Sequence, residues 1–311
     1  MLLYERKSEM KQSIHIPVVN QSFEIHDFSH KNQSYDLLKK YNESAERFYQ
    51  LDPLFRLHTH DCLEILVFLG GDCDFFCEGK TYALRRGDIV VVPPNAVHQA
   101  IVKNIDHYER FIINISNVLM EDFVTVSSSM NENIVIQKTQ GSYVLHLNTV
   151  NFQDILSLLH EITHRIKIGE ENFSFTLQYL LFQVLQVIFN PASSMQNLSI
   201  KEEHDKRLLS ILEYIESHLT EPDLSLDKVS SYFHLNKYYF SHYFKKHMNL
   251  PFYRYVSLKR LSFAVTMIKQ KQIPIEKIAV KCGFPDYSSF YRLFKKEYNL
   301  SPKNLQRDYK N

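Results

Sequence analysis

Three histidines and a glutamate stand at a spacing from which one site can be built. In RLHTHDCLE (56–64) His58 and His60 are two residues apart, so an extended backbone carries both on one face, and Glu64 keeps their parity. His98 follows LRRGDIVVVPPNAV, a segment that reads as two strand ends around a turn. Three imidazoles with a carboxylate can ligate a transition metal. The same groups can hydrogen-bond a polar small molecule, and Arg56, two residues before His58, would add a contact to an anion or hydroxyl. A third reading makes them ordinary hydrogen-bonded strand histidines. The residues alone leave open a metal-dependent enzyme with a free coordination position, a metal-free effector pocket and a chemically silent barrel.

A second set lies near the C-terminus, where the chain repeats itself. FSHYFKKHMNL (240–250) aligns with FYRLFKKEYNL (290–300), and LDKVSSYF (226–233) with IEKIAVKC (275–282) at an offset one residue shorter. Each copy reads as a short helix, a tight turn and a second helix, the second turn being one residue longer. Ser230 and Ala279 supply small residues for close helix approach, and Gly283 supplies freedom in the turn. At ~100° per residue, Phe240, Tyr243, Phe244 and His247 share an inward arc, while Tyr238, Ser241, His242 and Lys245 share the opposite one. The second copy puts Phe290, Leu293, Phe294 and Glu297 inside, with Ser288, Tyr291, Arg292 and Lys295 outside. Such outward side chains suit base edges and phosphates in a major groove.

These sets need elements to hold them. From about 54 to 115 short β-branched and aromatic runs (LEILVFL, DFFCEG, KTYALRRGDIVVVPP, HQAIV, RFIINI) are cut by Gly70 and Gly71, Gly79, Gly87 and Pro93 with Pro94. The pattern predicts an antiparallel barrel or sandwich. Residues 14–28 alternate like a strand, and 35–48 suit a short amphipathic helix. Helices are predicted at 152–168 and 173–189, separated at Gly169, from Phe152, Leu156, Leu159, Ile162 and Ile166 and then Phe173, Leu177, Leu180, Val184 and Ile188. Residues 191–204 read as a linker. Beyond it Leu208, Ile211, Leu212, Ile215 and Leu219 stripe one helix; Val256, Leu261, Ala264, Val265 and Ile268 stripe a longer one.

Charge divides at the same place. Residues 205–311 carry 19 Lys/Arg against 10 Asp/Glu (+9), and residues 1–204 carry 17 against 25 (−8), within a chain of net charge +1. Only the C-terminal third is suited to a polyanion. Cys62, Cys73, Cys77 and Cys282 lack the spacing of a disulfide framework, a zinc site or a redox pair and are expected as reduced, packed residues. No apolar run approaches the ~20 residues that span a bilayer. The opening MLLYERKSEMKQ lacks a signal peptide's apolar stretch, so the cytoplasm is expected.

KIAVKCGFPDYSSFYRLFKKEYNLSP (277–302) resembles the signature of the AraC/XylS family, notably in Ile278 and Ala279, Gly283 and Phe284, Phe290, Phe294 to Lys296, and Ser301 with Pro302. The likeness runs from Asp205 to about Arg307 and takes in Arg260, Leu261 and Ala264 of the joining helix. The string RLHTHDCLEILVFLGG with LRRGDIVVVPPNAVHQA resembles the cupin-like effector domain often fused to this unit, and His58, His60, Glu64 and His98 then fall at cupin metal-ligand spacing. The resemblance implies a two-domain chain. A cupin-like antiparallel β-barrel with following helices (1–190) senses an effector and dimerises. A linker (191–204) leads to an all-α DNA-binding domain (205–311) with helix-turn-helix motifs at 226–247 and 275–298. It implies a transcription regulator, expected to be an activator and not an enzyme, that binds promoter duplex DNA as a homodimer, with RNA polymerase as a further partner and no membrane. Base readers by resemblance are Tyr238, Ser241, His242, Ser288 and Arg292; His242 departs from the longer basic side chain common there. For the barrel the resemblance favours the metal-free reading: Arg56, His58, His60, Glu64 and His98 hold a small effector, a sugar by analogy, with no metal and no cofactor. The rivals are a metal-dependent cupin enzyme carried on a DNA-binding domain and a constitutive DNA-binding protein whose barrel only dimerises.

Overall fold

The computed structural model describes residues 13–18, 21–28, 56–127, 143–168, 173–190, 206–270 and 272–308. The short helix expected at 35–48, the break at Gly169 and the linker at 191–204 lie outside the described residues. Among these residues the N-terminal half is one seven-stranded antiparallel sheet curled into an open half-barrel. Its strands are β1 (Ser13–Val18), β2 (Gln21–Phe28), β3 (Leu63–Cys77), β4 (Lys80–Ala83), β5 (Asp88–Val92), β6 (His98–Ile115) and β7 (Tyr143–His146). They run in the order β1-β2-β6-β3-β5-β7, with β4 on β3. Residues 14–28 thus form a hairpin rather than one strand.

Both faces of the sheet are buried, which is why LEILVFL reads as a nearly continuous apolar run. Leu63, Ile65, Val67, Ile89, Val91, Phe111, Ile113 and Ile115 face one core. That core is closed by α1 (Asn117–Val126), α2 (Thr149–Ile168) and α3 (Phe173–Phe189). Leu66, Phe68, Val90, Val92 and Ile112 face the inside of the curl. The glycine pair does not end a strand as expected. The register of β3 against β6 shifts in three steps between Phe68 and Cys73, and the strand continues. At Gly71 (φ +113°) a Cβ would lie 2.7 Å from the His107 carbonyl oxygen, so the strands close up only over glycine. This bulge flips the parity: even residues of β3 point inward before it, whereas Cys73, Phe75 and Cys77 do so after it. For the same reason HQAIV and RFIINI are two halves of the single strand β6.

The C-terminal part comprises α4 (Lys206–Ser217), α5 (Leu226–Tyr232), α6 (Lys237–Met248), α7 (Phe252–Gln270), α8 (Ile275–Lys281), α9 (Tyr287–Tyr298) and α10 (Pro302–Asp308). It has two cores. Phe252, Tyr255, Val256 and Leu258 of α7 join α4, α5 and α6, while Leu261, Ala264, Val265 and Ile268 join α8 and α9. Helix α7 is buried on both sides because it belongs to both.

The half-barrel docks on this domain, a contact that sequence reading did not anticipate. Glu78, at φ +45° in the β3–β4 turn, accepts from Tyr255 Oη–H (2.7 Å) and Val97 N–H (2.8 Å). Lys259 Nζ stands 3.4 Å from Glu78 and 3.0 Å from Glu216. Ser262 Oγ donates to Asn95 Oδ1 (2.7 Å), and Lys269 Nζ meets Asp61 Oδ1 (2.7 Å). Tyr255, Lys259, Ser262 and Lys269 recur at steps of three, four and seven, which places them on one face of α7. Val97 itself sits in the first helix-turn-helix core, with Leu57 packed against it.

Candidate functional site

The four residues picked from sequence converge. One ligand atom from each of His58, His60, Glu64 and His98 lies within 4.8 Å of the others. Glu64 points into the curl because it pairs with Asn114 and Val92 on the inward face of the sheet. His58 and His98 form an isolated antiparallel bridge, His58 N–H to His98 O (3.1 Å) and His98 N–H to His58 O (3.0 Å). That bridge ties the loop before β3 to the start of β6. His98 is 1% exposed and stacks on Phe75 at 5.9 Å.

Each imidazole spends Nδ1 on a main-chain carbonyl: His58 on Arg56 (2.7 Å), His60 on Cys62 (3.1 Å) and His98 on Ala96 (2.9 Å). His60 Nε2 lies 3.2 Å from Glu64 Oε2. His98 Nε2 is buried 3.7 Å from Glu64 Oε1, beyond hydrogen-bonding distance, and has no hydrogen-bond partner among the described residues. Burial, with His98 and His60 nearby, pushes His58 down to about 3, so its ring is neutral. For His60 burial acts downward, but Cys62 and Glu64 outweigh it and hold the ring above its ordinary value. Burial likewise works against an ionised Glu64, and the facing His98 and His60 overcome it.

Arg56 joins the cluster through its carbonyl, and its side chain is exposed. Sequence reading missed the polar groups deeper in the curl. Arg110 is 3% exposed, with its guanidinium 4.1 Å over the Tyr108 ring. Asn114 Oδ1 and Thr59 Oγ1 are buried with no hydrogen-bond partner among the described residues. A signal was there: Tyr108, Arg110 and Asn114 share the parity of Ile112 on β6, opposite that of Phe111, Ile113 and Ile115. The cysteines are free; Cys62 touches His60, and burial pushes the Cys73 and Cys282 thiols up to about 12, which makes both inert.

The second site is the pair of helices α6 and α9. Phe240, Phe244, Phe290 and Phe294 are fully buried, whereas Tyr238, His242, Lys245, Ser288, Tyr291, Arg292 and Lys295 are exposed and Ser241 half-buried. Tyr243, His247, Leu293 and Glu297 are half-buried at the edges, and Glu297 is paired with Arg254. Lys245, Arg292 and Lys295 form no ion pair among the described residues. His242 Nδ1 donates to the Tyr238 carbonyl (2.9 Å), which leaves Nε2 for a partner outside the chain.

The two units are copies bond for bond. Leu235 N–H to Ser230 O recurs as Phe284 N–H to Ala279 O, and His234 N–H to Ser231 O as Gly283 N–H to Val280 O. Asn236 caps α6 and Asp286 caps α9, while Asn249 (φ +58°) and Asn299 (φ +56°) end them. Residues 229–308 match the family described as a helix-turn-helix domain, and residues 41–183 the family described as an AraC-like ligand binding domain.

The chain belongs to the AraC family.

As such it is a DNA-binding transcription regulator that carries a ligand-binding domain. Two relatives are the HTH-type transcriptional activators RhaS of Enterobacter sp. (strain 638) and of Escherichia coli (strain K12 / DH10B). They are 26% and 25% identical over 257 residues, 81% of this chain and 87% of each relative. Among solved structures, ToxT of Vibrio cholerae is 13% identical, with a TM-score of 0.38 over 81% of this chain and 92% of that one. The C-terminal domain of the response regulator yesN of Fusobacterium nucleatum is 30% identical, with a TM-score of 0.32 over 32% of this chain and 98% of that one. Among the described residues of this AraC-family chain, no helix is long and apolar enough to cross a membrane.

Proposed function

We propose that this chain is a cytoplasmic, non-catalytic transcription activator that changes its grip on promoter DNA when a small effector enters the half-barrel. The observation that carries the reading is the duplicated helix-turn-helix, with α6 and α9 exposing equivalent faces in a +9 segment. In the reading, Tyr238, Ser241, His242, Ser288 and Arg292 meet base edges, and Lys245, Tyr291 and Lys295 meet the backbone. The effector sits at His58, His60, Glu64 and His98, with Arg56 at the rim, and shifts the population of docked and released first units. The division into 1–190 and 205–311 is supported by four cores that split between the halves, Val97 and Leu57 excepted. Dimerisation through α2 and α3 is supported by the exposed Val150, Phe175 and Tyr179. RNA polymerase is the partner through which a DNA-bound activator would act.

Selection of duplexes from a random pool by the full chain tests this. The expected outcome is a bipartite site bound at least 10³-fold more tightly than random duplex. Enrichment of no sequence, with affinity that depends on salt alone, would defeat the reading.

A further inference from the structure

We propose that the effector of this site is a divalent transition-metal ion, ligated by His58, His60, Glu64 and His98 and sensed directly by helix α7. The inference rests on the effector-responsive reading above and names the ligand class of that same site.

The hydrogen bonds at the back of the rings set the chemistry at the front. A carbonyl oxygen only accepts, so Nδ1 of His58, His60 and His98 each carries the proton. In a neutral imidazole the other nitrogen is then a lone pair, and three Nε2 atoms and a carboxylate face one another within 4.8 Å. With all three rings neutral, four acceptors are directed at one point and need something positive between them. A single proton shared by His60 and Glu64 answers for two of them. It leaves His98 Nε2, 1% exposed, with no hydrogen bond among the described residues. A cation satisfies all four. Nδ1–H bonded to a carbonyl is the arrangement that orients metal-binding histidines, and a donor set of three imidazole nitrogens with one carboxylate suits zinc, nickel, cobalt or iron over calcium or magnesium.

The ligands stand on the two loops that grip α7. His60 adjoins Asp61, whose carboxylate holds Lys269 (2.7 Å). The His60 carbonyl accepts from Asn95 N–H (2.7 Å), and Asn95 accepts from Ser262 (2.7 Å). His98 adjoins Val97, which is buried in the core of the first helix-turn-helix. Drawing His58, His60 and His98 onto one ion therefore fixes both loops, and with them the face of α7 on which the half-barrel docks. Metal occupancy and DNA affinity become linked equilibria.

The test uses the full chain freed of metal by a chelator, and Co(II) and Zn(II) as probes. Titration with Co(II) is expected to raise visible d–d absorption that saturates at one equivalent and is displaced by Zn(II). Glu64→Gln and His98→Ala should abolish the saturable step; the wild-type titration decides even where a variant fails to fold. DNA affinity on a duplex selected by the protein should differ about tenfold or more between metal-free and loaded chain. Lys269→Met should bind Co(II) as before and lose most of that difference. A flat Co(II) titration of a folded chain that still binds its duplex overturns the proposal and returns the site to an organic effector. One-to-one metal binding with unchanged DNA affinity overturns the sensing half. A chain that recognises no duplex in either state sinks the regulator reading itself, whatever the metal does.

Discussion

The two helix-turn-helix units share a backbone and differ in what holds them. The first shares its core with Val97 and Leu57 of the half-barrel and lies under the turn at Glu78 and Gly79, where a Cβ on Gly79 would meet Leu208 and Met248. The second closes on its own residues, from Leu261 to Leu305. They also treat one turn position differently: His234 takes the left-handed conformation (φ +51°) that Gly283 takes (φ +83°) in the copy. The half-barrel therefore enters the apolar core of the first unit, whereas it meets the α7 half of the second only through polar contacts, Asn95 with Ser262 and Asp61 with Lys269.

The largest test of this asymmetry is a matched pair of cavities. Phe244→Ala and Phe294→Ala should each cost about 3–5 kcal/mol. Hydrogen exchange should loosen the β3–β4 turn with the first and leave that turn untouched by the second. Equal effects on the turn would erase the distinction. Next comes the latch. Glu78→Ala strips one of two carboxylates from Lys259, whose side chain is 8% exposed, and a partner from Tyr255. The expected loss is about 1–3 kcal/mol in denaturant titration of the full chain.

The turn residues sharpen the comparison further. Gly283→Ala should cost about 1–3 kcal/mol, because it places a Cβ at positive φ and 2.9 Å from the Thr220 backbone. His234→Gly should stay within about 1 kcal/mol, since relief of strain and added chain entropy oppose each other. On DNA, Arg292→Ala should cost about 1–3 kcal/mol and relax preference at one base pair. Lys295→Ala should weaken all sequences alike and lower the salt slope by about one. Gel-shift titrations on single-base variants at several salt concentrations distinguish these, and exchanged phenotypes would mean that the outward face is misassigned.

The smallest effect is on acidification. The bonds from Ser289 N–H and Oγ–H hold the Asp286 carboxyl below the usual carboxylate range. Its contribution is complete above the unfolded value of ~3.9 and is lost as pH falls through the lower folded value. Asn236, its counterpart, does not titrate. Amide exchange at the start of α9 should therefore rise below about pH 4 before that at the start of α6.

Sequence made the helical domain legible because its information is local: Phe240, Phe244, Phe290 and Phe294 sit at helical spacing, and the repeat cross-checks every assignment. The cluster was legible in part, through the parity of His58, His60 and Glu64. Arg110 was not, because an arginine inside RFIINI looks like a surface residue until the bulge of β3 fixes which face is inward. The docking contact left no trace either, since Tyr255 and Glu78 lie 177 residues apart and neither carries a periodic signal.

That separation has a kinetic side. A chain made from its N-terminus completes β3, the turn and Glu78 long before Tyr255 leaves the ribosome. The second unit needs partners within some forty-five residues of one another and can close as soon as they emerge. The first can settle fully only by closing a loop four times as long, a slower search. The half-barrel thus waits as a finished template, and the DNA-reading unit whose core it enters must find that template before it can settle.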